Sequence, residues 1–571
     1  MMKALITAAL TAFFATTAGA VVDMKNANYA NTWTDLIVPG SGYDLRVQRT
    51  YNSRSLFNGI FGFGWCSDFE TTLEVTAEGN LRVTECGGGL EVVYTAKNFS
   101  SNNVDKTIDT IIDEVKKRNR DLKPQYFTDL KKELVDNAFL RDEFTRQLKL
   151  KGNIVSGQTY FANGREAENV VFKDGKYKRS LEDGTFQQFD SSGHLVTMYD
   201  RNGNHLKLEW KGPQLVSVVD NNGRKLSLSY HGNKRLKQIA GPNGILVKYV
   251  FAGEDLKEVL NAWKNTFKYE YDDVHNLVKI EYPDKSFKQL TYNKDRDWVT
   301  SFRNRKGCVE TYAYDVDNDN PKDHYWSTVE KTCGKKVTNK STYEFFHRKR
   351  KDGLGKYLYR VRTDNNGSIS DIVYHETFGK PISVLRNKFK VTYGYYPNGF
   401  VKEKKENLRN LEFRYEQKCQ KVSEVRIEYF QPEIPKKKAG DKNSKRSLSS
   451  FKKKLVKKTR TSFKYDSPKC NLVYAKNTDG QTAKIQYDTR GRMAVIEDQS
   501  KKIVKIQYEE RFGKPAKVER PGLGTIHVTY KSDGEIAKVQ SKEGPTVAVQ
   551  VASIFNNLLD IIAPATSETN L

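Results

Sequence analysis

The sequence lacks the motifs that identify most enzymes. Its six cysteines include no Cys-x-x-Cys pair, which argues against a zinc site. The eight histidines are scattered without His-x-x-x-His spacing, and there is neither a Gly-rich phosphate loop nor a Gly-x-Ser-x-Gly elbow. Beyond the N-terminus no run of about eighteen uninterrupted apolar residues occurs, so we expect no transmembrane span. We therefore predict no catalytic centre, no cofactor and no metal ion.

The chain does contain an aromatic ladder with a regular spacing. Its first members follow at intervals of 21, 20, 21, 20, 21 and 22 residues: Phe189, Trp210, Tyr230, Phe251, Tyr271, Tyr292 and Tyr314. A second ladder runs in phase with the first: Leu195, Leu215, Leu236, Leu256, Leu277 and Trp298. The pattern weakens between residues 315 and 460 but continues at Tyr374, Tyr395, Tyr415, Tyr465, Tyr487, Tyr508 and Tyr530. Two ladders in phase indicate a repeated structural unit.

Each unit has the pattern of two short strands. Apolar and polar residues alternate, as in Phe267, Tyr269 and Tyr271, and Asn-Gly or Asp-Gly pairs separate the segments. About thirty such strands would form a ribbon roughly 140 Å wide, which a twisted sheet cannot sustain without curling. The sequence thus predicts a mainly β protein that winds into a spiral or a partial hollow shell.

Two segments resemble a known family. The stretch 487–493 resembles the YD-repeat signature YDxxGRL, with Tyr487, Asp488, Gly491 and Arg492 at the matching positions. The N-terminal stretches 35–45, 49–55 and 62–65 are similar to the leading module of bacterial Rhs-type YD-repeat proteins. The resemblance implies a β-hairpin spiral that often encloses a toxic C-terminal domain. This chain departs from the pattern, because it has no DPxG-type boundary and no variable domain after the repeats.

The chain divides into five predicted segments. Lys3, an apolar stretch and Ala18-Gly19-Ala20 predict a signal peptide at 1–20 with cleavage after Ala20, and hence export to the periplasm, the cell surface or the medium. The other segments are a leading β module at 21–99, an inserted helical hairpin at 100–150, the YD-repeat spiral at 151–541, and an apolar helix with a tail at 542–571. Helical spacing on both sides of Pro124 predicts two helices in the insertion.

Export makes the cysteines candidates for disulfide bonds. Cys308 and Cys333 flank the polar segment 315–324 and lie nearly opposite each other across one hairpin. Cys419 and Cys470 flank a second excursion, 431–458, in the same way. Cys66 and Cys86 then pair by elimination. Free thiols are the alternative.

The net charge of +26 is partly concentrated between Lys436 and Arg460, which contains twelve basic residues and one acid, Asp441. Lacking strand periodicity, 436–460 is predicted to be a disordered basic loop. Solubility is one explanation, and attraction to anionic glycans or other envelope polymers is another. The candidate polyanion-binding residues are Lys436, Lys437, Lys438, Lys452, Lys453, Lys454, Lys457, Lys458 and Arg460. No RRM, OB or helix-turn-helix pattern supports specific binding of nucleic acid.

Three functional hypotheses follow. The first is an exported, non-enzymatic scaffold that binds glycans or other polyanions. The second is a cocoon that carries or chaperones a separately encoded toxin or effector polypeptide. The third is a glycan-processing enzyme, although no pair of catalytic carboxylates can be assigned. The run 315–320 resembles the start of a calcium loop, but it lacks Gly at the sixth position and has Trp326 in place of the bidentate Glu.

Overall fold

The computed structural model describes residues 21–40, 42–86, 89–162, 164–165, 167–201, 203–352, 355–432, 453–467, 469–510, 513–531 and 536–565. The protein is mainly β, with 52% strand and 13% helix, which confirms the predicted fold class. The predicted signal peptide with Ala20 lies outside the described residues. So do Lys436, Lys437, Lys438 and Lys452.

Residues 21–66 form a small sheet of their own, to which we restrict the name leading module, because the later strands of the predicted module, within 72–96, belong to the large sheet. The leading module contains β1 (Val21–Asp23), β2 (Asn28–Val38), β3 (Leu45–Asn52), β4 (Asn58–Gly59), β5 (Gly62–Phe63) and β6 (Trp65–Cys66). The sheet order is β1-β2-β3-β6, and β4 pairs with β5.

A second sheet contains the remaining strands. Its first part comprises β7 (Thr72–Val75), β8 (Leu81–Thr84), β9 (Glu91–Ala96), β10 (Thr159–Ala162), β11 (Asn169–Lys173), β12 (Lys176–Ser180), β13 (Phe186–Phe189), β14 (Leu195–Tyr199), β15 (His205–Lys211), β16 (Gln214–Asp220), β17 (Lys225–Tyr230), β18 (Leu236–Ala240), β19 (Leu246–Ala252), β20 (Asp255–Leu260), β21 (Thr266–Tyr271), β22 (Leu277–Glu281), β23 (Phe287–Tyr292), β24 (Val299–Arg303) and β25 (Val309–Val316). Its second part comprises β26 (His324–Cys333), β27 (Lys336–Lys349), β28 (Lys356–Asn365), β29 (Ser368–Tyr374), β30 (Pro381–Arg386), β31 (Phe389–Tyr395), β32 (Val401–Lys405), β33 (Arg409–Tyr415), β34 (Val422–Pro432), β35 (Lys453–Tyr465), β36 (Leu472–Lys476), β37 (Thr482–Tyr487), β38 (Met493–Asp498), β39 (Ile503–Tyr508), β40 (Pro515–Arg520), β41 (Gly524–Tyr530) and β42 (Ile536–Gln540).

This large sheet is an antiparallel meander in which each strand pairs with its neighbours in sequence. No ladder joins β42 back to β7 among the described residues. Instead, a single bridge from Thr72 to His194 connects the first strand to the turn before β14. A flat sheet from β7 to β42 would be about 170 Å wide, so the sheet has to coil.

The ladder aromatics occupy one fixed position in each hairpin. The register shifts by one residue just before Tyr271, Tyr292 and Tyr487, which is a β-bulge at the end of the strand. Bulges bend a strand and increase its twist. A bulge repeated in successive hairpins therefore coils the sheet in one direction.

The ladder tyrosines also bind the neighbouring hairpin. The Tyr487 hydroxyl donates to the Leu472 carbonyl at 2.9 Å, and the Tyr508 hydroxyl donates to the Met493 carbonyl at 2.8 Å. The same bond, from a ladder tyrosine to a carbonyl fifteen residues earlier, is made by Tyr230, Tyr271, Tyr292, Tyr314 and Tyr530. The second ladder provides three of these seven carbonyls, those of Leu215, Leu256 and Leu277. One of its predicted members is wrong: Val299, not Trp298, is buried and accepts from Tyr314.

The strands from β7 to β26 form what we call the first coil of the sheet. The leading module fills the inner face of this coil. It contacts strands from β15 to β26, and these strands would form a sheet roughly 58 Å wide if the sheet were flat. The longest strand of the module, β2, has eleven residues and extends only about 36 Å. The sheet must therefore curve around the module. At the centre, buried Arg49 donates to Asp35 at 2.7 Å and to the Tyr269 hydroxyl at 2.6 Å, and it stacks 4.5 Å above the Trp65 ring.

The second coil, by which we mean the strands from β27 to β42, is filled from the other end by a helix at Pro545–Ile562. We label it α4 because the three helices of the insertion precede it in the chain. Its Ala548, Val551, Leu558 and Ile561 are buried in one apolar cluster with the strands from β32 to β41. By length and composition α4 is also long and apolar enough to cross a membrane, contrary to the expectation that no segment would be. The average composition meets that criterion even though Asn and Asp side chains interrupt the apolar run.

The two coils stack edge to edge. The Lys421 ammonium, in the turn after β33, donates to the Glu182 carbonyl in the turn after β12, at 2.7 Å. A Cβ atom on Gly164 would lie 2.1 Å from the Phe378 carbonyl oxygen, so a larger residue would clash at this contact. The sheet thus forms a spiral in which one rim of the second coil rests on the first coil.

The insertion contains three helices rather than the predicted two: α1 (Ser101–Arg118), α2 (Pro124–Asp136) and α3 (Ala138–Leu148). Asn137 separates the last two, because its side chain accepts from the Leu140 backbone and caps α3. Arg82 of β8 binds Asp142 of α3 at 2.6 Å, and Lys349 of β27 binds Asp136 of α2 at 2.9 Å. The insertion therefore bridges the start of the sheet and the second coil.

Glu70 holds the leading module to the spiral. Its buried carboxylate accepts from the Ile60 backbone at 2.7 Å and from the Ser67 backbone at 3.0 Å. The Ile60 carbonyl in turn accepts from the Leu236 backbone at 3.1 Å. Burial raises the pKa of Glu70 to about 7.

We predict that Tyr508→Phe lowers the free energy of unfolding by about 1 kcal/mol, because the Met493 carbonyl loses its hydroxyl donor. Urea unfolding would measure the loss, and hydrogen exchange of 493–498 would locate it. The control is Tyr126→Phe, at a half-exposed position on α2. Equal losses of unfolding free energy in the two variants would contradict a stabilising role for the ladder bond.

We predict that Glu70→Gln changes the pH dependence of stability. The pKa of Glu70 in the folded protein lies above its ordinary value of 4.5, so its favourable contribution is complete below pH 4.5 and is lost as the pH rises through 7. The amide stays neutral, so the stability of the variant relative to wild type should rise by up to about 3 kcal/mol over this range. If the free energy of unfolding changed with pH in the same way in both proteins between pH 4.5 and 8, Glu70 would not titrate as predicted.

Candidate functional site

The outer face of β32–β35 is strongly basic. Along β34, Val425 is buried in the inner apolar cluster and Ile427 packs against it. Arg426, between these two residues, and Glu428, after Ile427, therefore point outward. Across the ladder, Arg426 pairs with Glu412 of β33 on one side and with Arg460 of β35 on the other. We call the outward side chains of Lys402, Lys405, Arg414, Arg426, Lys458 and Arg460 the basic face.

One nearly buried carboxylate organises the basic face. Glu424 has a side chain that is 7% exposed, and it binds Arg426 at 2.6 Å, Arg414 at 3.9 Å, and Arg460. Two arginines directly opposite each other across strands repel. Glu424 offsets that repulsion, and Glu412 lies 3.9 Å from Arg414, so two carboxylates face three guanidinium groups.

A cleft of about 600 Å³ crosses the basic face. Its lining includes Lys402, Lys405, Arg426, Lys458 and Arg460, and three acids, Glu403, Glu412 and Glu428. The cleft is therefore positive overall. Its cations lie on β32, β34 and β35, and adjacent strands of this sheet are about 4.8 Å apart.

The structure corrects the predicted extent of the basic loop. Residues 453–460 belong to strand β35, so the predicted disordered loop over 436–460 is wrong for this part. Lys458 binds Glu428 at 2.8 Å and Arg460 binds Glu424, and these cross-strand ion pairs stabilise a strand that lacks apolar alternation. Lys453, Lys454 and Lys457 are exposed on the same strand.

The six cysteines are joined in pairs. Disulfide bonds link Cys66 to Cys86, Cys308 to Cys333, and Cys419 to Cys470. The last two are the pairs inferred from the hairpin positions, and the first is the pair left by elimination. The last bond crosses the turns before β34 and after β35, and it holds these two strands of the basic face together.

The YD signature residues form one turn. Asp488 accepts from the Arg490 backbone at 3.0 Å and from the Arg492 backbone at 2.9 Å, and it binds the Arg492 side chain at 2.7 Å. The guanidinium lies 4.4 Å above the Tyr508 ring. Gly491 has a φ of 76°, which few residues other than glycine adopt readily. These residues build the hairpin turn.

The segment that resembles a calcium loop is a turn. Asp317 accepts from the Asp319 backbone at 3.0 Å and the Asn320 backbone at 2.8 Å, and it binds the His324 side chain at 3.2 Å. Hydrogen bonds hold the pKa of Asp317 below its usual range. Within the described ranges no group of three or more potential metal ligands occurs.

The sequence did not identify Arg414, Arg426 or Glu424 as site residues. Each lies in an ordinary strand with single charges at outward positions, a pattern shared with most strands of the sheet. The cluster arises only when three hairpin strands pair in register.

Comparison with known proteins gives limited matches. Residues 19–93 match a family model described as a domain of unknown function, DUF6531. No curated protein matches. Among solved structures, the Photorhabdus luminescens Tc holotoxin pore is similar at 10% identity and a TM-score of 0.32, over 91% of this chain and 30% of that chain. The structure of TcdB2-TccC3-TEV is similar at 11% identity and a TM-score of 0.29, over 90% of this chain and 31% of that one. The chain thus spans less than a third of either neighbour.

Proposed function

We propose that the protein is an exported, non-enzymatic β-shell scaffold that binds anionic envelope glycans through its basic face. The observation that carries this function is the convergence of Arg414, Arg426 and Arg460 on Glu424. Three guanidinium groups beside two carboxylates, Glu424 and Glu412, leave one positive charge in excess beside a cleft. Guanidinium groups bind the carboxylate and sulfate groups of acidic polymers in bidentate fashion.

Export fits the three disulfide bonds, because such bonds persist in oxidising compartments. The spread of cations over β32, β34 and β35 suits a polymer with repeating anionic groups better than a single small anion. The charge excess of the whole chain would add long-range attraction that weakens with salt.

Affinity for a sulfated polysaccharide such as heparin tests the proposed function. We predict that Lys405→Gln with Lys458→Gln weakens binding roughly tenfold, since each exposed charge contact contributes about 0.5–1 kcal/mol. The matched control is Lys484→Gln with Lys505→Gln, on β37 and β39. It removes the same charge from the outer surface away from the cleft.

Equal losses in the two double variants would show that heparin responds only to net charge and would contradict a specific basic face. Deleting 436–460, as the sequence alone would suggest, is not a clean test because it removes half of β35. Deleting 436–450 instead measures the contribution of the basic segment outside the described residues.

A second candidate function is a carrier for a separate polypeptide. It is favoured by an apolar row on the inner face, where Val361, Ile372, Val384 and Val391 pair across four strands and remain partly exposed. Neither the cluster around the leading module nor the cluster around α4 includes them. Native mass spectrometry of the purified chain would detect a stoichiometric polypeptide if this space is filled, and a single-component spectrum would count against a carrier.

A further inference from the structure

The free rim of the second coil carries a row of exposed apolar side chains. They lie at the hairpin ends that join β26 to β27, β28 to β29, β30 to β31 and β32 to β33, and on the first residues of β35. The exposed fractions are 50% for Val337, 36% for Ile369, 60% for Phe389, 42% for Leu408, 40% for Leu455 and 54% for Val456. We call this row the apolar rim.

The hairpin ends that carry the apolar rim are hydrogen-bonded to one another. The Lys340 backbone donates to the Asn366 side chain at 2.8 Å, and the Ile369 backbone donates to the Asn387 side chain at 3.0 Å. Farther along, the Phe430 backbone donates to the Leu408 carbonyl at 2.8 Å. A groove of about 480 Å³ runs between Phe389, Leu408 and Phe430. The apolar rim is therefore one continuous surface rather than scattered single residues.

The opposite ends of the same strands are covered. There, the turns containing Phe378 and Lys421 rest against the first coil. Successive turns of an antiparallel meander alternate between the two rims. Stacking of the coils thus covers one rim of the second coil and leaves the apolar rim facing away from the first coil.

Lysines flank the apolar rim. Seven are exposed at these hairpin ends: Lys335, Lys336, Lys388, Lys390, Lys453, Lys454 and Lys457. None of the seven has an ion-pair partner within the part of the chain that the structure describes. Two acids at the same ends are engaged locally, because Asp364 accepts from the Gly367 backbone at 2.7 Å and Glu406 binds Arg409. The surface combines exposed apolar groups with positive charge.

We propose that the apolar rim docks on an anionic lipid bilayer. Apolar side chains at hairpin ends enter the boundary between headgroups and acyl chains, while flanking ammonium groups bind lipid phosphates. A soluble anionic glycan would use the lysines but not Phe389 or Leu408. With the apolar rim bound to the membrane, the basic face would point parallel to the bilayer surface. This surface is separate from the basic face and does not depend on the function proposed for it.

Flotation with lipid vesicles tests this surface, using the disulfide-bonded full chain. The wild-type protein should float with vesicles of phosphatidylcholine and phosphatidylglycerol at low salt, and not with phosphatidylcholine alone. Phe389→Ser with Leu408→Ser should reduce the floated fraction roughly tenfold, since two apolar groups no longer enter the interface. Both positions are exposed, so the substitutions leave the fold intact.

The matched control is Leu56→Ser with Val274→Ser, which removes two apolar side chains that are 86% and 54% exposed away from the apolar rim. It should float as the wild type does. Failure of the wild type to float with anionic vesicles would overturn the inference, and so would equal flotation of the rim variant and the control. Heparin affinity of the rim variant should remain at the wild-type value, which separates this result from the test of the basic face.

Discussion

The structure depends on one repeated interaction, the bond from a ladder tyrosine hydroxyl to the backbone carbonyl of the neighbouring hairpin. Tyr271, Tyr487 and Tyr508 each donate to a residue fifteen positions earlier, and each follows a β-bulge. The bulge sets the bend and the hydroxyl fixes the distance between hairpins. Phe189 and Phe251 share the bulge but have no hydroxyl, so packing alone holds those positions.

Because the sheet always curves in the same direction, it has a concave inner face, and the apolar side chains of this face need other residues to pack against them. The first coil is filled by the leading module, whose Arg49 and Asp35 are buried together against Tyr249 and Tyr269. Burial raises the pKa of the Asp35 carboxyl, and the charge and hydrogen bond of Arg49 oppose that rise. Helix α4 fills the second coil. Between the two fillings the inner face is apolar and partly exposed.

Local patterns in the sequence were sufficient for the fold class. The ladder, the alternation and the Asn-Gly turns depend on residues within about twenty positions of one another, and the hairpin positions of the cysteines follow from them. The third insertion helix was missed because a single cap, Asn137, separates two helices without a proline. The Glu424 cluster and the contact from Lys421 to Glu182 were also missed. Each joins residues far apart in the chain or on different strands, and neither has a local signature.

The sheet winds into two stacked coils. Zero-length carbodiimide cross-linking tests this arrangement directly, because Lys421 in the second coil lies against the turn that contains Glu182 and Asp183 in the first. Mass spectrometry of the oxidised protein should find a peptide pair joining Lys421 to this turn, as well as the local link between Lys484 and Glu497, which are 3.1 Å apart. Recovery of the local link without the link between coils would contradict the spiral.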